Sequence, residues 1–242
     1  MRIALISDIH ANLEALQTVL NDIEKRKVEV IHCLGDVVGY GSDPSACLNL
    51  VNKTCQIKLM GNHDHAALGE SSTEDYSPVA KFAADWTKKV LSDNDIAIME
   101  LFTLEEVVED SHLVHASPFE PLEFHYVLSP QDARQAFGCI KRQLCFIGHT
   151  HVPMIFTEVK NGLPRQKIGH SFVPDTDSRY LINVGSVGQP RDNDPRAAYV
   201  IHDTASGDVE YHRVAYDFKT TQEKMEQARL PELLIERLSV GQ

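Results

Sequence analysis

The chain of 242 residues is 43% hydrophobic, which is ample for a globular core, and 23 Lys and Arg against 35 Asp and Glu give a formal net charge of −12. Such a charge argues against a large basic surface, so nucleic acid is not expected as a partner. The five cysteines form no Cys-x-x-Cys pair, and a disulfide framework is not expected. Because no apolar run reaches the roughly 18 residues of a membrane span and no secretory leader is evident, we expect a cytoplasmic protein without membrane contact.

The first third of the chain alternates predicted strands and helices. Residues 2–7 are expected to be extended, 11–25 to form an amphipathic helix and 28–34 to be extended again. A second unit follows, with a helix from Pro44 to about Val51 and a strand over 54–60. Right-handed crossovers keep successive strand ends together, so the ends of these three strands are expected at one edge of a parallel sheet.

The middle of the chain is polar and helix-rich. We predict a helical, cap-like insertion around 65–110 within a single domain spanning 1–242, with an amphipathic helix over 78–91 that carries the only tryptophan, Trp86. A short strand over 113–116, an aromatic and proline-rich loop, and a helix near 130–137 come next.

The last hundred residues read mainly as strands, which favours a second sheet packed on the first. The expected strands are 143–147, 154–159, 179–184, 197–203 and 209–214, and residues 219–238 are expected to be helical with a break at Pro231.

Polar side chains follow the apolar runs at five places, where strands are expected to end. In chain order they are Asp8-Ile9-His10, Gly35-Asp36, Gly61-Asn62-His63-Asp64, His115 and Gly148-His149-Thr150-His151. Open α/β sheets build their sites at such strand ends. Oxygen and nitrogen donors without a thiolate suit borderline-hard divalent or trivalent metals. The alternative is that the Asp and Asn residues form turns.

In this order the five blocks resemble the calcineurin-like metallophosphoesterase superfamily, whose pattern runs D-x-H, G-D, G-N-H-D/E, H, G-H-x-H. The segments 35–41 and 183–191 look most like its small prokaryotic phosphoesterases, which are related to diadenosine tetraphosphatase and serine/threonine protein phosphatases. The resemblance extends from Met1 to about Val214. It implies an α/β fold, a four-layer α/β/β/α sandwich of two mixed sheets.

The resemblance also implies two metal ions in one site. It assigns the first ion to Asp8, His10, Asp36 and His151, and the second to Asp36, Asn62, His115 and His149, so that Asp36 bridges them. The ions are expected to be divalent or trivalent Mn, Fe, Zn, Co or Ni, with Mn or Fe favoured. A hydroxide bridging two such ions would attack the phosphorus of a phosphate ester in line.

Two residues of the third block are candidates for catalysis beyond metal binding. In the family, the histidine at the position of His63 is not a ligand; it stands near the leaving oxygen as a general acid or a polarising donor. Asp64 is expected to orient either His63 or a metal ligand.

One departure from the family pattern concerns the substrate phosphate. Protein phosphatases and diadenosine tetraphosphatases continue the second block as G-D-x-V-D-R-G, where the arginine grips the phosphate, but this chain reads G-D-V-V-G-Y-G at 35–41. Arg191 and Tyr40 are therefore candidates to hold the phosphate. The alternative for Arg191 is a surface ion pair with Asp192 or Asp194.

The sequence thus predicts a metal-dependent hydrolase acting on phosphodiesters or on small phosphorylated metabolites or nucleotides. The alternatives are a phosphoprotein or diadenosine tetraphosphatase-like phosphatase, and a non-catalytic binding or scaffold protein on the same fold. Because every ligand position of the family pattern is intact, the scaffold alternative is disfavoured.

Overall fold

The computed structural model describes residues 1–74 and 76–242, in which two mixed β-sheets are flanked by helices. The elements in chain order are β1 (Arg2–Ile6), α1 (Leu13–Lys25), β2 (Val30–Cys33), α2 (Pro44–Thr54), β3 (Ile57–Lys58), α3 (Asn62–Leu68), α4 (Pro78–Val90), α5 (Asp93–Met99), β4 (Glu105–Val108), β5 (Ser111–Val114), α6 (Pro130–Phe137), β6 (Leu144–Ile147), β7 (Met154–Thr157), β8 (Arg165–Ile168), β9 (Tyr180–Asn183), β10 (Ala197–Asp203), β11 (Val209–Val214), α7 (Phe218–Gln227) and α8 (Glu232–Glu236). Short 3-10 turns cover Pro121–Glu123 and Arg237–Ser239.

The first sheet has the strand order β11-β10-β1-β2-β3. Strands β1, β2 and β3 are parallel neighbours, whereas β10 and β11 join antiparallel on the other side of β1. The second sheet has the order β4-β5-β6-β9-β7-β8, with β5, β6 and β9 parallel and the outer pairs antiparallel. The carboxyl ends of three parallel strands therefore meet at one edge in each sheet.

Strand β1 shows how the layers are built, because its side chains alternate between two cores. Ile3 and Leu5 pack with residues of the second sheet, while Ala4 and Ile6 pack with residues of α1 and α2. On the far side of the second sheet, α6 packs with the remaining faces of β6 and β9. The layer order is helix, sheet, sheet, helix, which confirms the predicted α/β/β/α sandwich.

Several element boundaries differ from the sequence-based expectation. Helix α1 begins at Leu13 rather than at residue 11, because the Asn12 side chain caps it by accepting a hydrogen bond from the Ala15 amide at 3.1 Å. Strand β3 has only two residues, since α2 continues to Thr54. Strand β8 was not predicted; its four residues are exposed at the sheet edge and carry no apolar alternation. The helical break at Pro231 is confirmed.

The late strands were expected to form the second sheet, but not all of them belong to it. Strands β7 and β9 do, but β10 returns to the first sheet and pairs with β1, with Leu5 opposite Val200.

The helical part of the predicted 65–110 insertion ends at Met99, and residues 105–108 form strand β4, which pairs with β5. In the described part of the chain, no helix is long and apolar enough to cross a membrane.

Candidate metal centre

The five polar blocks lie together at the edge where the parallel strands of both sheets end. Asp8 and His10 follow β1, Asp36 follows β2, and α3 begins with Asn62 just after β3. His115 follows β5, and the Gly148–His151 block follows the neighbouring parallel strand β6. The three strand ends that the sequence predicted at one edge are found there, and the second sheet contributes two more.

Five of the seven candidate ligands have a left-handed backbone, which residues other than glycine rarely adopt. The φ angles are 52° for Asp8, 49° for His10, 53° for Asp36, 67° for His149 and 61° for His151. Each such residue costs on the order of 1 to 3 kcal/mol and persists only where its surroundings enforce it, most often at functional sites. Here the enforcing contacts include hydrogen bonds from the Asp8 amide to the Gly35 carbonyl and from the His10 amide to the Asp36 carbonyl, both 3.0 Å long.

The glycines of the third and fifth blocks allow the loops to approach each other closely. A Cβ atom on Gly61 would lie 2.1 Å from Oδ1 of Asp36, and one on Gly148 would lie 2.4 Å from Oδ2 of Asp8. Neither contact is sterically possible. These glycines are therefore required because a candidate carboxylate ligand occupies the space a side chain would need.

Three of the histidines share one pattern of hydrogen bonding. Nδ1 of His10 donates to the Val38 carbonyl at 3.1 Å, Nδ1 of His115 to the Leu34 carbonyl at 2.8 Å, and Nδ1 of His151 to the Gln189 carbonyl at 2.6 Å. With the proton on Nδ1, each ring directs the lone pair of Nε2 into the site. Metal-binding histidines are commonly oriented in this way by a backbone carbonyl.

The candidate ligands form two groups that meet at Asp36. Asp8, His10 and His151 have ligand atoms within 4.8 Å of one another, and so do Asp36, His115 and His149. Oδ2 of Asp36 is 3.4 Å from Nε2 of His115 in its own group and 3.6 Å from Nε2 of His10 in the other. Asp36 thus has the position that a bridging carboxylate requires.

The donor atoms fit cations. Nε2 of His10 and Nε2 of His151 face each other at 3.1 Å although both rings carry their proton on Nδ1, so two lone pairs point at one another. Two imidazole ligands about 2.1 Å from one ion and roughly at right angles would have this separation. In addition, Nε2 of His115, Nε2 of His149 and Oδ1 of Asn62 are buried without a hydrogen-bond partner. Buried polar atoms are rarely left unpaired, and a shared cation would satisfy all of them.

The buried charges of the site also favour a bound cation. Burial opposes ionisation of the Asp36 carboxyl, but the His115 and His63 rings outweigh burial and hold its pKa well below the usual value. Burial likewise disfavours a charged His115, yet the Asp36 carboxylate raises the pKa of that histidine to about 9, so a proton on its Nε2 and a metal ion are alternative sources of positive charge beside Asp36. Asp8 and Asp36 are at most 1% exposed. Two ionised carboxylates enclosed to this degree require positive charge beside them.

His63 and Asn62 lie at the beginning of α3, facing the same space. The backbone amide of His63 donates to Oδ1 of Asp36 at 2.8 Å, which fixes the start of the helix against the centre of the site. The His63 ring lies 4.4 Å from the Tyr40 ring, and burial lowers its pKa to about 4. His63, predicted to act on the leaving group, is also within ligand distance of His10 and Asp36. The Nδ2 atom of Asn62 donates to the Tyr76 hydroxyl at 2.9 Å, which leaves its oxygen directed at the site.

Asp64 lies beneath the ligands, and its carboxylate is fully buried. Oδ1 accepts hydrogen bonds from the amides of Val37 and Val38 at 3.0 and 3.1 Å, and Oδ2 accepts one from the amide of Gly61 at 3.1 Å. These bonds tie the loop after Asp36 to the loop before Asn62. Of the two roles predicted for Asp64, the contacts support orientation of the metal ligands.

Comparison with known proteins agrees with this geometry. The sequence profile of the calcineurin-like phosphoesterase superfamily domain matches residues 1–207. The chain belongs to this superfamily. It is 41% identical over 243 residues to an uncharacterised protein of Methanocaldococcus jannaschii, covering 99% of this chain and 98% of that one.

Two solved structures of similar length share the fold. The crystal structure of a metallophosphoesterase from Sphaerobacter thermophilus is 41% identical with a TM-score of 0.88, and the match covers 100% of this chain and 99% of that one. A hypothetical protein from Pyrococcus horikoshii is 18% identical with a TM-score of 0.81, covering 100% and 98%, and shows the fold alone. The resemblance drawn from the five blocks is therefore confirmed. The chain belongs to a phosphoesterase family, and its His and Asp clusters fit metal ions.

A cavity with a volume of about 740 Å³ opens above the candidate metal ligands. Three segments form its walls: residues 71–72 and 76–80, residues 122–126, and residues 233–237. We call these the wall segments. The ring of Tyr126 stacks on His149 with centroids 4.0 Å apart, and Tyr76 holds Asn62.

Arg191 and Tyr40, the predicted phosphate contacts, both line this cavity. The guanidinium carbon of Arg191 lies 5.6 Å from the centre of the Tyr40 ring, and its Nη2 donates to Oε1 of Gln189 at 2.8 Å. The alternative of a surface ion pair is wrong, because Asp192 pairs with Arg213 and Asp194 with Arg196. The guanidinium of Arg191 faces the cavity instead.

No sequence motif marks three further residues that line the cavity. Tyr76, Tyr126 and Arg237 belong to no motif, and each lies in a loop or a short helical turn. Gln189 belongs to the 183–191 segment, but its carbonyl contact with His151 depends on the tertiary fold. Arg237 lies beyond the matched residues 1–207.

Proposed function

We propose that this protein is a two-metal phosphoesterase that hydrolyses small phosphorylated substrates. The observation that carries the proposal is a pair of ligand groups meeting at Asp36 beneath a cavity lined by Arg191. One ion would be held by Asp8, His10, Asp36 and His151, and the second by Asp36, Asn62, His115 and His149. Mn or Fe is favoured for a set of carboxylate, imidazole and amide donors.

When bound, such ions supply a hydroxide nucleophile at neutral pH and neutralise the oxygens of the phosphoryl group. The chain itself does the rest. Asp64 holds the two ligand loops in register, and the backbone carbonyls of Val38, Leu34 and Gln189 keep the histidine Nε2 atoms available. These contacts set the ligand geometry before any ion or substrate arrives, which is how preorganised sites avoid reorganisation during the reaction.

His63 and Arg191 would act on the ester. His63 lines the cavity beside Asp36, where it can donate a hydrogen bond to the leaving oxygen, as a general acid or as a polarising donor. Arg191 would bind the non-bridging oxygens through charge-assisted hydrogen bonds, with its Nη2 held by Gln189 and its plane over Tyr40.

The wall segments favour a small substrate. A volume of about 740 Å³ lies within the range of roughly 300 to 1,000 Å³ typical of small-molecule sites. Phosphodiesters, nucleotides and small phosphorylated metabolites fit such a space. A residue on a folded phosphoprotein would have to pass between wall segments from three separate regions of the chain.

The test is metal reconstitution followed by a substrate panel. We expect the chelated protein to be inactive, and reconstitution with Mn²⁺ to restore hydrolysis of p-nitrophenyl phosphate, bis-p-nitrophenyl phosphate or nucleotides, with up to two ions bound per chain. Two bound ions without hydrolysis of any ester would favour a binding protein on the same fold. Full activity after complete removal of metal would contradict the proposed role of the ligand groups.

A further inference from the structure

The cavity contains a second arginine that the proposed hydrolysis does not use. Arg237 lies in the 3-10 turn after α8, and its side chain is half-buried. Its Nη1 donates to Oε1 of Gln189 at 3.2 Å, the same oxygen that accepts from Arg191 at 2.8 Å. Gln189 is 2% exposed, so one buried amide oxygen holds two guanidinium groups side by side.

The two arginines have no acidic partner among the residues that the structure describes. Neither forms an ion pair with a carboxylate, although the chain carries a net charge of −12. The Nε atoms of both are buried without a hydrogen-bond partner. Glu123, the acidic residue that lines the cavity among those the structure describes, is exposed in another wall segment and pairs with neither arginine. Two adjacent, partly desolvated cations with free donors are costly unless an anion binds them.

The positions of the two arginines relative to the ligands differ. Arg191 is joined to the ligand loop directly, since its amide donates to the His151 carbonyl at 3.2 Å. Arg237 comes from the C-terminal wall segment and reaches that loop only through the Gln189 side chain. A substrate whose phosphoryl group contacts Arg191 would therefore meet Arg237 on the side of the cavity toward the C-terminal wall segment.

We propose that Arg237, beside the Arg191 that contacts the first phosphoryl group, forms a subsite for a second anionic group, so that the substrate is a phosphate ester carrying an additional phosphate or carboxylate. This inference rests on the proposed function, because the first phosphoryl group is taken to lie at the metal ligands. Arg237 acts as a specificity residue. Planar guanidinium groups favour the paired oxygens of a phosphate or carboxylate.

The experiment measures inhibition of a chromogenic ester by non-hydrolysable anions, using Mn²⁺-loaded protein with Mn²⁺ in excess. Alkanediphosphonates with two to six carbons are compared with the matched alkylphosphonates. We expect one spacer length to bind roughly tenfold or more tightly than its monophosphonate, as for a charge-assisted hydrogen bond. R237Q should remove this preference while changing monophosphonate inhibition by less than about twofold, and R237K should retain part of it.

The matched control is R229Q, which removes an exposed arginine of the same C-terminal region that does not line the cavity. It should leave the preference unchanged. The proposal is overturned if no diphosphonate outperforms its monophosphonate, or if R237Q weakens both classes equally, which would mean that Arg237 serves the first phosphoryl group or the fold. If R237Q does not fold, the wild-type spacer series and R237K still decide. Failure of the proposed function is distinct, since no ester would then be hydrolysed at all.

Discussion

The ligand groups and the wall segments that enclose them are built in different ways. The ligands lie at the ends of parallel strands, are held by buried backbone hydrogen bonds and in five cases have a left-handed backbone. The wall segments are loops and short helical turns from three distant parts of the chain, and they carry exposed side chains such as Tyr126, at 52%, and Leu122, at 53%. Under the proposed function, the strand ends would determine the reaction, whereas the wall segments would determine which ester reaches it.

Among the variants that test this difference between ligands and walls, the largest loss of activity is expected at His63. This residue lies among the ligands but is proposed to act on the leaving group. H63Q should retain metal and lower kcat by about 10² to 10⁴-fold, the range for loss of a general acid or base. The loss should be smaller for p-nitrophenyl esters, whose leaving group scarcely needs a proton. H65Q, two residues further along the same helix, is the matched control and should be nearly neutral. Equal losses for good and poor leaving groups would contradict the role of His63.

A smaller effect is expected at Asp64, which supports the ligands without contacting the cavity. D64N keeps the shape but replaces one acceptor oxygen with an NH₂ group facing backbone amides, so metal affinity should fall by about 10 to 100-fold, as for other residues that support ligands. Metal titration measures this. D95N is the control, because Asp95 is also buried and caps α5 through Ser92 away from the site. If both variants lose thermal stability but D64N binds metal normally, Asp64 is only a structural residue.

The same difference explains how much could be predicted from the sequence. Asp8, Asp36 and Asn62 were predicted at one edge because they follow strands whose parallel order is set by helical crossovers. The hydrogen bonds that the Val37 and Val38 amides donate to Asp64, by contrast, depend on the fold of two loops, and residue spacing does not reveal them.

The walls were the least predictable part. Arg237 lies in a short 3-10 turn after α8, in a sequence without any motif. Only the tertiary fold brings its side chain to Gln189. The polar sequence around 65–110 predicts a helical insertion that includes residues 105–108, yet pairing with β5 makes these residues strand β4. Local patterns identify core and motif residues, while contacts between distant loops require the structure.

The smallest effect is expected at Tyr76, where a wall segment touches a ligand. Y76F removes the hydroxyl that accepts from the Asn62 amide, and kcat/KM should fall by about 2 to 10-fold, as for one neutral hydrogen bond. Y180F, which removes a hydroxyl bonded to Asp175 far from the cavity, should leave kcat/KM unchanged. A loss above 10²-fold would mean that the walls and the ligands are not separable as proposed.

The central claim is that Asp36 joins two metal sites, and the metal content of two variants tests it most directly. After reconstitution with Mn²⁺ and removal of free ions, elemental analysis should find two ions per wild-type chain. D8N, which alters a ligand of one group only, should retain one tightly bound ion. D36N should retain neither, because its carboxylate lies between both groups. Two tightly bound ions in D36N, or the loss of a single ion as in D8N, would contradict the account.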